Sequence, residues 1–503
     1  PSQSADPGPP VFIIAGGPGG SSIDMVEGFV RGGGAGFLEM MGGDVVGIDQ
    51  RGVGRSVPNL ESDTRYGFSP NDPGDREQMV GVMQRVCREE AARWKERGVD
   101  LRGYTTVQSA DDIDAVRAAL GYDSITLWGG SYGSHLAMAT IRRHGDHIAR
   151  ALLTGPEGPD HTYKLPSSIQ AGLDRIAERI AADPDASAYV PDFLGSLAAV
   201  LRRLEAGPVF VEIDGATICI SKFDVQRVIA NAMGTMRGSG DALPAQVRAM
   251  ADGDFEEIAR ILAEERAADG IGSAMQAMMD CASGASPQRT AQIGREAPAC
   301  LLGDVIDFPM PQVAEAWGAP DLGAEYRSPL RSDIPILFIV GDMDSRTPVR
   351  NAEELMQGLP NAKLIVVTNV GHNDMPLGMP ELRAAWTGFL AGRPVEISRV
   401  EAPPIRWRLP RKDAIRLTEA QLEAFVGTYD YGQFGTVILS RDGDKIFAQV
   451  GERPLVEMIP ASDTELIWTA FDARLVLVRN ASGAITGGTH VQGDRKIEVR
   501  RVE

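Results

Sequence analysis

Histidine, cysteine and basic residues are all in short supply in this 503-residue chain. The four cysteines, Cys87, Cys219, Cys281 and Cys300, include no Cys-x-x-Cys spacing, so a zinc site is not expected. Their even number fits disulfides in an exported protein as well as it fits four buried thiols; Cys281 and Cys300 are the first candidate pair. Lys and Arg number 50 against 69 Asp and Glu, a net charge of −19. That balance argues against nucleic acid as a partner, because phosphate binding rests on clustered Lys and Arg. A solvated acidic surface accounts for the charge. No uninterrupted apolar run approaches the ~20 residues that cross a bilayer, so no membrane span is expected. Nothing in the pattern calls for a cofactor or a metal. What remains is ordinary globular material, 43% hydrophobic and 24% charged, able to bury a sizeable core. At roughly 100–200 residues per domain, the length allows two or three domains.

The chain opens at Pro1 in a Pro/Ser/Gly-rich lead rather than at Met. Removal of a signal or lipoprotein segment fits that opening, and export to a periplasmic or secreted location is the expectation, with the cytoplasm as the alternative.

The stretch around which the chain is organised is Leu127-Trp128-Gly129-Gly130-Ser131-Tyr132-Gly133-Ser134. The apolar run Ser124 to Trp128 reads as a strand, and Leu136 to Ile141 as a helix. Between them stands Gly-x-Ser-x-Gly, which forces the serine onto a strained turn and requires small neighbours at 129 and 133. Ser131 is therefore the candidate nucleophile; a merely flexible turn is the alternative, since a short motif depends on its context.

That context is an alternation of strands and helices, the mark of a parallel sheet covered on both faces. Val11–Ala15 is a short buried-strand run ending in Gly16-Gly17-Pro18-Gly19-Gly20. With no Lys after these glycines, a phosphate loop is disfavoured, and a bare backbone offering N–H donors remains. Asp44–Asp49 is the next strand, and the charges of Asp49 and Arg51 are expected to brace loops. A helix follows from Asp75 to Arg97. Ser109 with Asp112 reads as a capping box opening the next helix, after which come the Ser131 strand and a strand at Ala149–Thr154. From about Asp160 to Tyr326 strand patterns fade and helical segments take over, as at Ile169–Ile180, Leu194–Leu204 and Val225–Met236; this is read as a helical lid. The methionines of this segment, Met233, Met236, Met275, Met278 and Met279, read as core filling or as an adaptable pocket lining. Sheet patterns return at Ile334–Val340 and Lys363–Thr368, with a last helix at Pro380–Leu390. Beyond a Pro-rich linker, short alternating strands divided by Asp442-Gly443, Ala481-Ser482-Gly483 and Gln492-Gly493 suggest a small antiparallel barrel or sandwich. The expected division is 1–159 and 327–395 for the two parts of the α/β core, 160–326 for the lid, 396–416 for the linker and 417–503 for the β-module.

A serine needs a base, and the base needs a group to fix its tautomer. Of six histidines, only His372 follows a late sheet strand from which a loop can reach Ser131. The preceding strand end offers Asp344, with Asp342 as the alternative. The order Ser, Asp, His is that of the α/β-hydrolases.

Gly16-Gly17-Pro18-Gly19-Gly20, Asp49-Gln50-Arg51-Gly52-x-Gly54-x-Ser56, Gly129-Gly130-Ser131-Tyr132-Gly133, Gly341-x-x-Asp344-x-x-Thr347-Pro348 and Gly371-His372 together resemble the proline iminopeptidase and tripeptidyl aminopeptidase branch of the α/β-hydrolases. The resemblance implies a serine exopeptidase that acts at free amino termini on small peptides. Ser131, Asp344 and His372 would form its triad, and the backbone N–H groups of Gly17 and Tyr132 its oxyanion hole. Phe425-Val426-Gly427-Thr428-Tyr429 resembles the lipocalin-like module appended to some bacterial serine hydrolases. The family usually carries strands ahead of its first motif, so a shortened or processed amino terminus is expected. It also holds the substrate ammonium with lid glutamates. None matches here; Glu157 is the candidate for that job, and an ordinary structural carboxylate is the other reading of it. Two rival functions share the scaffold: an esterase with the same triad, and a non-catalytic binding protein. Epoxide hydrolase and dehalogenase chemistry are disfavoured, because they need a carboxylate where Ser131 stands.

Overall fold

Short apolar runs become the strands of a parallel sheet in the computed structural model, which describes residues 8–71, 76–410, 415, 417–451, 455–469, 473–492 and 495–502. Two units divide at Arg408/Leu409. In the first unit the strands are β1 (Gly8–Ile14), β2 (Gly43–Gly47), β3 (Ile125–Ser131), β4 (Ile148–Pro156), β5 (Ile336–Gly341), β6 (Ala362–Val367) and β7 (Arg399–Val400). They lie in the order β7-β6-β5-β4-β3-β1-β2, every neighbouring pair parallel. Ile125, Leu127 and all of Ile336–Val340 are fully buried, as expected of strands covered on both faces.

The covering helices include α1 (Ser22–Met41), α2 (Arg76–Glu96), α3 (Thr106–Ala119) and α4 (Tyr132–His144). Under one face Trp128 of β3 stacks on Phe29 of α1 and meets Trp386 edge-on, with ring centroids 4.8 Å apart in the latter pair. Trp386 belongs to the helix Pro380–Leu390, whose bounds are those expected from the sequence. This aromatic seam fixes β3, and with it the end of the strand where Ser131 sits.

Two local expectations fail. α3 opens one turn earlier than the Ser109 capping box implied, after Thr105 in extended conformation. Ser109 is buried within the helix, and Asp112 instead receives two hydrogen bonds from Arg51, at 2.6 and 2.7 Å. A paired guanidinium is a stronger partner for that carboxylate than one backbone N–H. The segment between β4 and β5 is not purely helical either. Beside helices such as Pro166–Ala182, Phe193–Glu205, Lys222–Ala232 and Ala274–Ser283 it holds a hairpin, Val209–Ile213 with Ala216–Ile220. The hairpin turns at Asp214-Gly215, both at positive φ (49° and 82°), the backbone a two-residue turn of this kind demands. A further strand, Gly270–Ser273, pairs antiparallel with Glu61–Arg65 and ties the segment to the loop after β2. Its methionines are core: Met233, Met236, Met275, Met278 and Met279 are all fully buried. Asp75 and Gly493 lie outside the described residues.

None of the four cysteines is in a disulfide. Cys281, half of the suggested pair, donates its Sγ proton to the Met310 carbonyl at 3.2 Å, and Cys87 and Cys219 are fully buried; they pack as small apolar side chains. Among the described residues no helix is long and apolar enough to cross a membrane.

In the second unit eight strands from Gly427 to Arg501 close into an antiparallel barrel, the last pairing with the first. Alternate residues face inward, among them Tyr429, Leu439, Ile446, Met458, Leu466 and Leu475. Closure removes the sheet edges and resolves the barrel-or-sandwich alternative in favour of the barrel.

Candidate active site

At the end of β3 the chain must reverse into α4 within one residue. Ser131 does so at φ 53°, ψ −128°, a region that costs an L-residue roughly 1–3 kcal/mol. Its neighbours show why the turn admits only glycine: a Cβ on Gly129 would lie 2.4 Å from the Gly133 carbonyl oxygen, and one on Gly133 only 2.3 Å from that of Ile14. The requirement for small residues at 129 and 133 thus comes from backbone passing backbone. Ser134 locks the turn, donating to the Ser131 carbonyl at 2.6 Å and accepting from the Glu157 N–H at 2.8 Å. The glycine loop after β1 is pressed against the same turn; a Cβ on Gly16 would meet the Gly130 oxygen at 2.7 Å. Tyr132 is the first residue of α4, so its N–H has no carbonyl of its own helix to bond.

The loop after β5 carries Asp344, which is almost fully buried. One oxygen accepts from the N–H groups of Arg346 (2.9 Å) and Thr347 (2.8 Å), and the other from the Thr347 hydroxyl and from His372 Nδ1, both at 2.8 Å. Burial opposes ionisation of this carboxyl, but the adjacent imidazole and the Thr347 donors outweigh it and hold the group below the usual carboxylate range. Asp342 is engaged elsewhere, accepting from the Asn369 N–H at 2.7 Å and from Arg179 at 2.9 Å. Gly155, at the end of β4, leaves room for the pair: at φ 50° it bears no side chain, and a Cβ there would fall 3.4 Å from His372 Cε1 and 2.7 Å from Thr347 Oγ1.

Ser131, His372 and Gly17 line one cavity of about 510 Å³. Glu157 lines it too. It is buried, and it accepts from Lys164 Nζ at 2.7 Å with His135 Nδ1 3.8 Å away. Two carboxyls that the sequence analysis did not single out, Asp280 and Asp307, share this wall. Burial, with Glu157 nearby, pushes Asp280 well above the usual carboxylate range. Burial pushes Asp307 up to about 7, against the opposing charge of Lys164. A lone acid at the end of the methionine-rich helix Ala274–Ser283 was a usable sign of Asp280. Asp307 carries no local pattern at all.

Two further charged groups brace loops and are not among the cavity's lining residues. Asp49 accepts from the Ser21 hydroxyl and from the N–H groups of Ile23 and Arg55, at 2.8–3.0 Å, while Arg51 bonds Asp112 of α3 and the Gly103 carbonyl in the turn before that helix. Both are bracing residues, as the sequence suggested.

Sheet order, sharp turn and late acid and histidine loops give the first unit the α/β-hydrolase fold. In agreement, the family described as alpha/beta hydrolase fold matches residues 9–208, and that described as TAP-like protein matches residues 309–391. The chain is 31% identical over 161 residues to the serine protease Hip1 of Mycobacterium tuberculosis, covering 30% of each chain. It is 33% identical over 136 residues to the tripeptidyl aminopeptidase of Streptomyces lividans, covering 26% of this chain and 25% of that one. A probable proline iminopeptidase of Leptolyngbya boryana is 26% identical over 154 residues, 30% of this chain and 33% of its own. The matched part thus spans a third or less of each relative's length. Two of these relatives bear the names of the branch that the five motifs resemble, tripeptidyl aminopeptidase and proline iminopeptidase.

Proposed function

We propose that the chain is a serine hydrolase that releases residues or short peptides from free amino termini. The observation that carries this reading is the 2.8 Å bond between His372 Nδ1 and Asp344 in the wall of the cavity that also holds Ser131. An ionised Asp344 keeps the proton on Nδ1, so Nε2 is the basic nitrogen. It takes the Ser131 hydroxyl proton as Oγ attacks the scissile carbonyl. The tetrahedral oxyanion is held by the N–H groups of Gly17 and Tyr132, the second reinforced by the positive end of α4. His372 then protonates the leaving amine, and water, deprotonated by the same imidazole, resolves the acyl-enzyme.

The segment 160–326 acts as the lid and supplies the specificity. Glu157 from the sheet, with Asp280 and Asp307 from the lid, brings three carboxyls to one pocket; a substrate ammonium bound among them favours the ionised form of those that burial holds protonated. An ester without an amine has no use for those carboxylates, which favours the aminopeptidase over the esterase reading. The names of the relatives, serine protease and tripeptidyl aminopeptidase, support a peptide substrate. The test compares aminoacyl-naphthylamides with free and with acetylated amino ends, alongside p-nitrophenyl esters. Preference for the free amine by about tenfold or more is expected from one charge-assisted contact; equal turnover of free and blocked amides, with faster ester cleavage, would return the esterase reading. Failure of a fluorophosphonate to label Ser131 would leave the binding-protein reading standing.

A further inference from the structure

The motif Gly341-x-x-Asp344-x-x-Thr347-Pro348 contains one residue that the proposed chemistry leaves unused, Arg346. Its backbone N–H is bonded to Asp344 at 2.9 Å, so the residue is anchored to the acid loop, and its side chain lines the cavity that holds Ser131 and His372. A guanidinium has five N–H donors. Here the side chain makes a single long contact, from Nη2 to Asn231 Oδ1 at 3.5 Å, and Nε is fully covered with no partner. Among the described residues no carboxylate oxygen comes within ion-pairing distance of it, whereas the cavity's other cation, Lys164, is engaged by Glu157 and by the Thr162 carbonyl at 2.7 and 2.6 Å. The surrounding backbone makes room for the group: a Cβ on Gly234 would stand 2.9 Å from Arg346 Nε. Burial works against the charge, and Asp344 and Asp307 act to retain it. A half-buried, unpaired guanidinium is a costly thing to keep, and a planar carboxylate is the ligand whose two oxygens match its fork.

We propose that Arg346 is the subsite for a carboxylate of the substrate, so that this hydrolase selects peptides with a carboxylate within reach of the scissile bond. The inference rests on the aminopeptidase reading for its substrate class. The carboxylate has two sources, the free carboxy terminus of a short peptide or an acidic side chain, and the ligand chemistry is the same. With the amine held among the carboxyls and the carboxylate on Arg346, a short zwitterionic peptide is gripped at both signs of its charge.

Two substrate pairs separate the sources, all with free amino ends: a dipeptide against its carboxamide, and amidated tripeptides with Asp or Glu against Asn or Gln. In the natural protein kcat/KM for the carboxylate member is expected to exceed that of its amide by about tenfold or more in at least one pair. Arg346→Gln should collapse that ratio towards one, mainly through KM, and Arg346→Lys should keep part of it as a point charge. Gly234→Ala, which crowds the guanidinium without removing its charge, should lower it too. A ratio near one in both pairs of the natural protein overturns the proposal. So does an equal loss on carboxylates and amides in Arg346→Gln, which is what a mere brace of the Asp344 loop would give. Calorimetric titration of Ser131→Ala and of the Ser131→Ala/Arg346→Gln double variant with the dipeptide and its carboxamide reads the same preference without turnover. If fluorophosphonate labelling refutes the hydrolase, this titration still decides the anion site.

Discussion

The cavity has two walls of different origin, and they left different traces in the sequence. The sheet wall is made of Gly16, Gly17, Ser131 and His372, at strand ends where backbone passes backbone. There a single Cβ collides with a carbonyl, so glycines and a serine recur in fixed spacing. The wall from residues 160–326 brings Thr162, Lys164, Asp280 and Asp307 from separate elements. Only their side chains meet, and no local rule fixes which residue supplies each charge. On the proposed function, chemistry is encoded by the first wall in short motifs, and selectivity by the second in tertiary assembly.

The contrast can be broken most strongly at the first wall. Ser131→Ala should lower turnover about 10⁴-fold or more with an unchanged melting temperature, measured by single-turnover kinetics and calorimetry; normal turnover would remove the nucleophile. Asp344→Asn should cost about 10⁴-fold in kcat, because the imidazole then lacks the acceptor that fixes its tautomer, whereas Asp342→Asn should leave kcat within a fewfold. Gly133→Ala should act through the fold instead, destabilising by about 1–3 kcal/mol or more, read as a lower urea midpoint.

At the second wall the effects should be smaller and fall on KM. Asp307→Asn is expected to raise KM for free-amino substrates by about tenfold and to leave amino-blocked ones nearly unaffected. Since burial lifts Asp307 to about 7, KM for free-amino substrates should rise as pH falls below 7 and the carboxylate is lost. Stability has the opposite sign. Between about 4 and 7 the folded state binds this proton more tightly than the unfolded chain does, so the contribution of Asp307 to stability falls as pH rises through that window. Asp307→Asn should flatten both trends, seen in KM profiles and in urea midpoints at pH 5 and 8. The smallest effect belongs to the barrel: Tyr429→Phe removes the bond to the Phe425 carbonyl at 2.8 Å and should cost that unit about 1 kcal/mol.

Legibility followed the range of the interactions. Parallel strands, the sharp turn at Ser131 and the helix Pro380–Leu390 were readable because apolar runs and glycine spacing are local. The hairpin at Asp214-Gly215 was readable and was missed, its two-residue signal lost in a helical surrounding. The capping box at Ser109 misled, because Asp112 had a better partner in Arg51, 61 residues away in sequence. Asp280 left one local sign, a lone acid at the end of a methionine-rich helix, but Asp307 and the unpaired state of Arg346 could not be read at all, since each is defined by what other elements bring near it.

By itself, the sequence determined the α/β-hydrolase sheet, the antiparallel β-module that follows it, and the candidate serine, acid and base, because steric exclusion at tight turns and period-two burial act over a few residues. Tertiary structure decided that Asp344 rather than Asp342 meets His372, that no cysteine pairs in a disulfide, and that three carboxyls and one unsatisfied guanidinium share a cavity. Electrostatic environment depends on distance in space and on exclusion of water, and neither is a property of neighbouring positions in the chain.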